Sequence, residues 1–264
     1  MFQLNKTSQL VTIDPAMSVD AYEDRLGNEG LTGGYFPITG SETTLTTALA
    51  SRIPNLYFSK YGGIEELCVG GKVATPSGLV FPLKIYPRAA IGSDLRRVIL
   101  GSQNILGRFE EVTLRIFPIP EYQLWGLALC ENESEAVSAM RDLVGLMVHP
   151  LFMRVIDEEE GGALLQSLGL PAAQKFILAF KLTGLRDYVD ATLDTISKIN
   201  AGKKVFFYWP SKESEISFLD EQLLSAASYQ FMNERYASLL GLGTARLPDQ
   251  AERNFEKFFT CPRT

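Results

Sequence analysis

Few residues in this chain have both the type and the setting for chemistry. His149 is the only histidine. It stands beside Pro150 and could act as a substrate-side base, because imidazole titrates near neutral pH; it reads equally as a loop or interface residue. The run Asp157-Glu158-Glu159-Glu160 before Gly161-Gly162 offers carboxylate oxygens to a hard cation, or forms a solvated acidic turn. Lys84 and Arg88 are cations that could draw in an acid. Phe206, Phe207, Tyr208 and Trp209 could stack on a planar ligand, or make a buried strand entering the Pro210 turn. Cys68, Cys130 and Cys261 are far apart and form no CxxC pair, which excludes a zinc site or disulfide framework. No G-x-S-x-G accompanies the histidine, and no GxGxxG phosphate loop occurs. Gly33-Gly34 and Gly241-Leu242-Gly243 read as turns.

These residues need elements to hold them. Leu10 to Ile13 is a short β-like run ended by Asp14-Pro15. Ser18 to Leu26 predicts a short helix capped by Ser18, with Tyr22 and Leu26 one turn apart. Ser41 to Ser51 fits a helix or a packed loop. Lys72 to Thr75, the turn Pro76-Ser77-Gly78 and Leu79 to Phe81 predict a hairpin. Leu95, Val98 and Ile99 fall at helical spacing. Val112, Leu114 and Ile116 alternate on one face of a half-buried strand. Pro118-Ile119-Pro120 is the best domain boundary.

Beyond it the order is strand (123–130), helix (134–147), strand (152–157), short helix (161–168), strand (175–182), helix (185–199) and strand (203–208). The long helix is expected to bury Ala136, Met140, Leu143 and Met147. Strand, helix, strand, strand, helix, strand is the ferredoxin-like order, with one helix inserted. Residues 213–264 read as helical. The fold class is therefore α+β, divided as 1–120, 121–210 and a helical tail, 211–264.

Composition limits the remaining choices. In 264 residues, 46% are hydrophobic and 21% charged, with a net charge of -6, as expected of a globular protein. Nucleic acid is disfavoured for want of a basic cluster. No apolar run reaches the roughly 18 residues of a membrane helix, and the N-terminus is not a signal peptide. A cytoplasmic protein is expected.

Three stretches, read together, resemble the FAD-linked oxidase and dehydrogenase family, which includes glycolate and D-lactate dehydrogenase subunits and alkyldihydroxyacetonephosphate synthases. Val11-Thr12-Ile13-Asp14-Pro15-Ala16 is similar to a V-x-V-x-P-G turn, with Ala16 for glycine. Phe36-Pro37, then Thr44 to Ser51, then Lys60-Tyr61-Gly62 resembles a proline, T-I-G-G-x-I-A-T and a closing Y-G. Ile91-Gly92-Ser93-Asp94-Leu95, then Gly101-Ser102-Gln103-Asn104-Ile105-Leu106-Gly107, resembles T-G-x-D-L followed by G-S-E-G-T-L-G. The resemblance covers residues 8–120 by motif and 123–208 by element order.

The resemblance implies a second FAD-binding subdomain followed by a ferredoxin-like cap. It implies that Pro37, Thr44, Thr46, Thr47, Tyr61 and Gly62 line the ring side of FAD, and that Gly101, Ser102, Gly107, Arg108 and Phe109 line its ribityl and adenosine side. Arg88 matches an arginine near substrate in the synthase branch. Departures are also present. Thr46-Thr47 replaces two glycines, Gln103-Asn104 replaces Glu-Gly, Glu110 replaces threonine, and the family's Gly-rich pyrophosphate loop has no counterpart. Two readings stay open. One is an FAD-linked oxidoreductase acting on a small 2-hydroxy acid, as a homo-oligomer or with a partner subunit supplying the missing subdomain. The other is a non-catalytic subunit or binding module that uses the former flavin cleft as a contact surface.

Overall fold

The computed structural model describes residues 1–86, 93–171, 175–199 and 205–224. In chain order the elements of the first half are β1 (Phe2–Asn5), β2 (Leu10–Ile13), α1 (Val19–Gly27), β3 (Leu31–Thr32), α2 (Leu45–Ser51), α3 (Phe58–Tyr61), α4 (Ile64–Leu67), β4 (Cys68–Ala74), β5 (Val80–Leu83), α5 (Leu95–Ile99), β6 (Arg108–Arg115) and β7 (Phe117–Pro118). The second half holds β8 (Tyr122–Cys130), α6 (Glu133–Gly145), β9 (Phe152–Ile156), α7 (Glu158–Ser167), β10 (Phe176–Gly184), α8 (Arg186–Ile199), β11 (Phe206–Tyr208) and α9 (Glu213–Leu224). The chain divides into two compact units, Met1–Ser217 and Phe218–Thr264. Both large sheets lie in the first. Of the second, only the C-terminal part of α9 is described.

The first sheet is five-stranded and antiparallel, in the order β1-β2-β6-β4-β5. Alternation explains its inner face: Val11, Ile13, Val112 and Leu114 are buried and share one core with Tyr22 and Leu26 of α1 and Leu45, Ala48 and Leu49 of α2. On β2 and β6 the paired Thr12 and Thr113 share a hydroxyl hydrogen bond of 2.9 Å, and β6 is the half-buried strand its alternation predicts. Ser18 caps α1 by accepting from the Ala21 N–H. Thr44 caps α2, which resolves residues 41–51 into a cap and a helix. The hairpin β4–β5 turns where expected, at 75–79.

Leu95, Val98 and Ile99 form the helix α5 as their spacing predicts, but Leu95 and Val98 are about half exposed while Arg96 is buried. The helix turns its arginine inward because Asp94 clasps it and the carbonyls of Cys68 and Tyr86 accept from it. In α6, Ala136, Ala139 and Leu143 are buried but Met147 is 71% exposed. The helix ends at Gly145, and Met147 has φ 56° in the turn that follows.

The second sheet runs β11-β8-β10-β9 with antiparallel neighbours, the strand order of a ferredoxin-like fold. Leu178, Phe180 and Leu182 meet Leu143 of α6 and Val189 and Ile196 of α8 on one face. The acidic run starts the inserted helix α7: Asp157 caps it, Glu158 and Glu159 occupy its first turn, and Glu160 pairs with Arg154 at 2.6 Å. Carboxylates are stabilised there by the helix dipole. Pro118-Ile119-Pro120 begins inside a short ladder, because β7 pairs with β3 and the Ile119 N–H reaches the Gly30 carbonyl.

Candidate functional site

The expected ring-side residues are fixed by a buried residue that no motif announces. Asn55 is 5% exposed. Its amide nitrogen donates to the carbonyls of Gly34 at 2.9 Å and Gly62 at 2.7 Å. Its amide oxygen accepts from the N–H groups of Phe36 at 2.9 Å and Tyr57 at 3.1 Å. One side chain thus ties the approach to Pro37 to the Tyr61-Gly62 end of α3. Pro37 is bridged to Asn55, Gly62 takes a φ of 81°, and Tyr61 lies on Phe117 with ring centroids 4.7 Å apart. A Cβ on Gly34 would stand 2.6 Å from the Tyr61 ring, so glycine is required there by contact as well as by its φ of 65°.

At α2 the backbone is already committed. The N–H of Leu45 donates to Met17 and that of Thr46 to Pro15; that of Thr47 donates to the Thr44 hydroxyl, which also pairs with the Thr47 hydroxyl at 2.9 Å. This helix start therefore has no N–H among these three to give to a cofactor. Thr46 and Thr47 could donate to one only through their side chains.

The third motif forms a tight loop against the other end of α2. The N–H groups of Gly101 and Gln103 donate to Leu49 and Ala50. Gly101, Gln103 and Asn104 take φ of 79°, 50° and 63°, a concentration of left-handed backbone of the kind held at binding sites. The Ser102 hydroxyl is buried and has no hydrogen-bond partner, an arrangement that costs about 1–3 kcal/mol unless something else satisfies it. Gly107 is needed for packing, since a Cβ would come 2.7 Å from Val73. Phe109 is a core residue and Arg108 an exposed one, 4.0 Å from Glu110.

Thr46, Gly107 and Phe109, expected from two separate motifs, meet in one closed packing seam with Leu49, Ala50, Ile99 and Asn104, with no room for a water-sized molecule. Tyr61 lies apart from it, in a pocket of about 230 Å³ with Glu23, Phe36 and Tyr57. The 101–109 arm offers one unpartnered buried hydroxyl to a flavin, whereas the turn from Leu45 to Thr47 has no N–H left to give. Arg88 lies outside the described residues.

Other candidates have local explanations. His149 and Lys84 are exposed. Phe207 stacks on Trp209 at 5.8 Å, and Trp209 meets Phe180 edge-on. Burial pushes the Cys68 thiol up to about 12 and the Cys130 thiol to about 11, so both behave as small buried residues. Among the described residues no group of three His, Cys, Asp or Glu could hold a metal ion, and no helix is long and apolar enough to cross a membrane.

Sequence motifs missed Asn55 and Glu23. The Glu23 carboxylate accepts from the Thr32 hydroxyl at 2.7 Å and the Gly33 N–H at 3.0 Å. Burial nevertheless pushes it up to about 7, against the opposing pull of those two bonds. Glu23 is one of three acids in α1, and nothing in the sequence separates it from Asp20 and Asp24.

No protein-family model matches the chain. It is 32% identical over 138 residues to an alkyldihydroxyacetonephosphate synthase of Caenorhabditis elegans, covering 52% of this chain and 23% of the relative. It is 28% identical to an uncharacterized FAD-linked oxidoreductase, YgcU, of Escherichia coli O157:H7, covering 72% and 39%. Glycolate oxidase subunit GlcD of Bacillus subtilis is 27% identical, covering 64% and 37%. The chain thus spans well under half the length of these relatives. A solved alkyldihydroxyacetonephosphate synthase shares the fold, with a TM-score of 0.70 at 20% identity over 84% of this chain and 43% of that one. By motif, sequence and fold, the chain is a homologue of the FAD-linked oxidases and dehydrogenases.

Proposed function

We propose that this chain is the flavin-facing and cap part of an FAD-linked oxidoreductase that oxidises a small 2-hydroxy acid. Residues 1–120 would face FAD and 121–210 would form the cap. The observation that carries the reading is the loop at Gly101 to Asn104, whose left-handed backbone at Gly101, Gln103 and Asn104 holds a buried Ser102 hydroxyl without a partner.

When bound, FAD supplies the two-electron oxidation of a carbinol carbon, and the protein's task is to position both molecules. Ser102 would hydrogen-bond the cofactor. The Gly101–Phe109 arm would shape its bed. Thr44 and Thr47 would offer side-chain hydroxyls, and Arg88 would pair with the substrate carboxylate as a fixed cation. The pyrophosphate needs a cradle of N–H groups, and a segment of a longer chain or a partner subunit would provide it. The relatives' names favour this reading over a non-catalytic module.

The test is dye reduction by the FAD-loaded protein with glycolate and with D-lactate. Turnover with one of them, reduced at least about tenfold in Arg88→Met, is expected. A yellow protein inert towards both would sink the substrate assignment. A protein that stays colourless with its co-purifying chains would favour the binding-module alternative.

A further inference from the structure

The pocket of about 230 Å³ that Tyr61 lines also holds an acid, Glu23, that the flavin reading does not use. Its walls come from both sheets' surroundings: Glu23, Phe36, Tyr57 and Tyr61 from one side, Ile119 from the connection and Leu151 from the other. Glu23 is the only residue lining it that carries a charge near neutral pH; no lysine, arginine or histidine lines it. Each Glu23 oxygen accepts one hydrogen bond, from Thr32 or Gly33. A carboxylate accepts about four, so capacity remains. Aromatic faces attract cations and repel anions. A 2-hydroxy acid would meet like charge here.

We propose that this pocket binds a small organic ammonium ion, with its charged head at the Glu23 carboxylate and its apolar part among Phe36, Tyr57, Tyr61 and Leu151. The pocket shares no lining residue with the Thr46–Gly107–Phe109 seam; it does include Tyr61, which the resemblance sets on the ring side of FAD, so the cation is measured on flavin-free protein.

Burial, and after it the charge of Glu23, pushes up both the Tyr22 hydroxyl of its own helix and the Tyr61 hydroxyl; the Lys60 ammonium stands 5.7 Å from the Tyr61 ring centroid, held by the Thr183 carbonyl; β3, β8 and the residues before β9 present no titratable group to the pocket. Because an ammonium ion binds the ionised acid, affinity rises with pH through about 7.

The probe is benzylammonium, measured by calorimetry on the full chain against benzyl alcohol as its neutral analogue. Saturable binding of the cation at pH 8 is expected, about tenfold weaker at pH 6, with the alcohol at least about tenfold weaker than the cation at pH 8. Glu23→Gln should erase the preference for the cation, and Ile119→Trp, which fills the pocket from its exposed edge, should abolish binding of both. No saturable binding to folded protein at pH 8, equal affinity for both probes, or a preference that survives Glu23→Gln would each overturn the proposal. If Glu23→Gln fails to fold, the cation–alcohol comparison and Ile119→Trp decide it.

Discussion

The side-chain amide of Asn55 donates to the carbonyl of Gly62 at 2.7 Å while its oxygen holds the N–H of Phe36, so the two arms of the ring-side loop share one buried anchor. Asn55→Ala removes four hydrogen bonds and strands two carbonyls and two N–H groups. A loss of about 3 kcal/mol or more in urea unfolding is expected. A substitution that costs less than about 1 kcal/mol would mean that water replaces the anchor.

Glu23 sets a pH dependence with a definite sign. Its folded pKa is raised from 4.5 to about 7, so the folded state holds the proton more tightly than the unfolded state. Stability from this group is present below about pH 4.5 and is lost as pH rises to about 7. The upper bound is about 3 kcal/mol, reduced by solvent because the residue is only partly buried. Glu23→Gln should therefore flatten the stability curve between pH 5 and 8 and raise the unfolding free energy at pH 8. Identical wild-type and variant slopes over that window would contradict the burial argument.

Arg96 makes the opposite kind of contribution. Its guanidinium grips both Asp94 oxygens at 2.9 and 3.0 Å, and Asp94 is held below its usual carboxylate value by that contact. The pair stabilises above about pH 4 and fades as pH falls through the depressed value. Arg96→Met should cost about 3–5 kcal/mol at pH 7, and the deficit should narrow on acidification as Asp94 takes up a proton. Denaturation at pH 7 and pH 3 reads both; a deficit that widens at pH 3 would contradict it.

Much of this arrangement was legible from residue order, and the reason is periodicity. Alternation at Val112, Leu114 and Ile116 located β6, and Ser18 announced its helix because a cap is a local signal. The 4-1-3-2 sheet order followed from element sequence alone. Side chains that work across distance left no such trace. Asn55 bonds residues 7, 19 and 21 positions away as well as Tyr57, and an asparagine in a loop looks the same whether it is buried or wet. The spacing of Leu95, Val98 and Ile99 announced α5, but could not reveal that Asp94 neutralises Arg96 and lets it take the inner position. At the site, motifs found the seam residues, but could not reveal that the N–H groups of Leu45 to Thr47 are already bound within the chain.

The most direct measurement is titration of the full chain with FAD, following the flavin's visible bands, for the wild type and Ser102→Ala. The Ser102 hydroxyl has no partner inside the protein, so its removal should leave thermal stability unchanged or slightly higher. Saturable FAD binding, weakened about tenfold by Ser102→Ala without loss of stability, is the predicted result. Absence of saturable binding to the chain, alone and with any chain that co-purifies with it, or binding indifferent to Ser102, would contradict a flavin site in this loop.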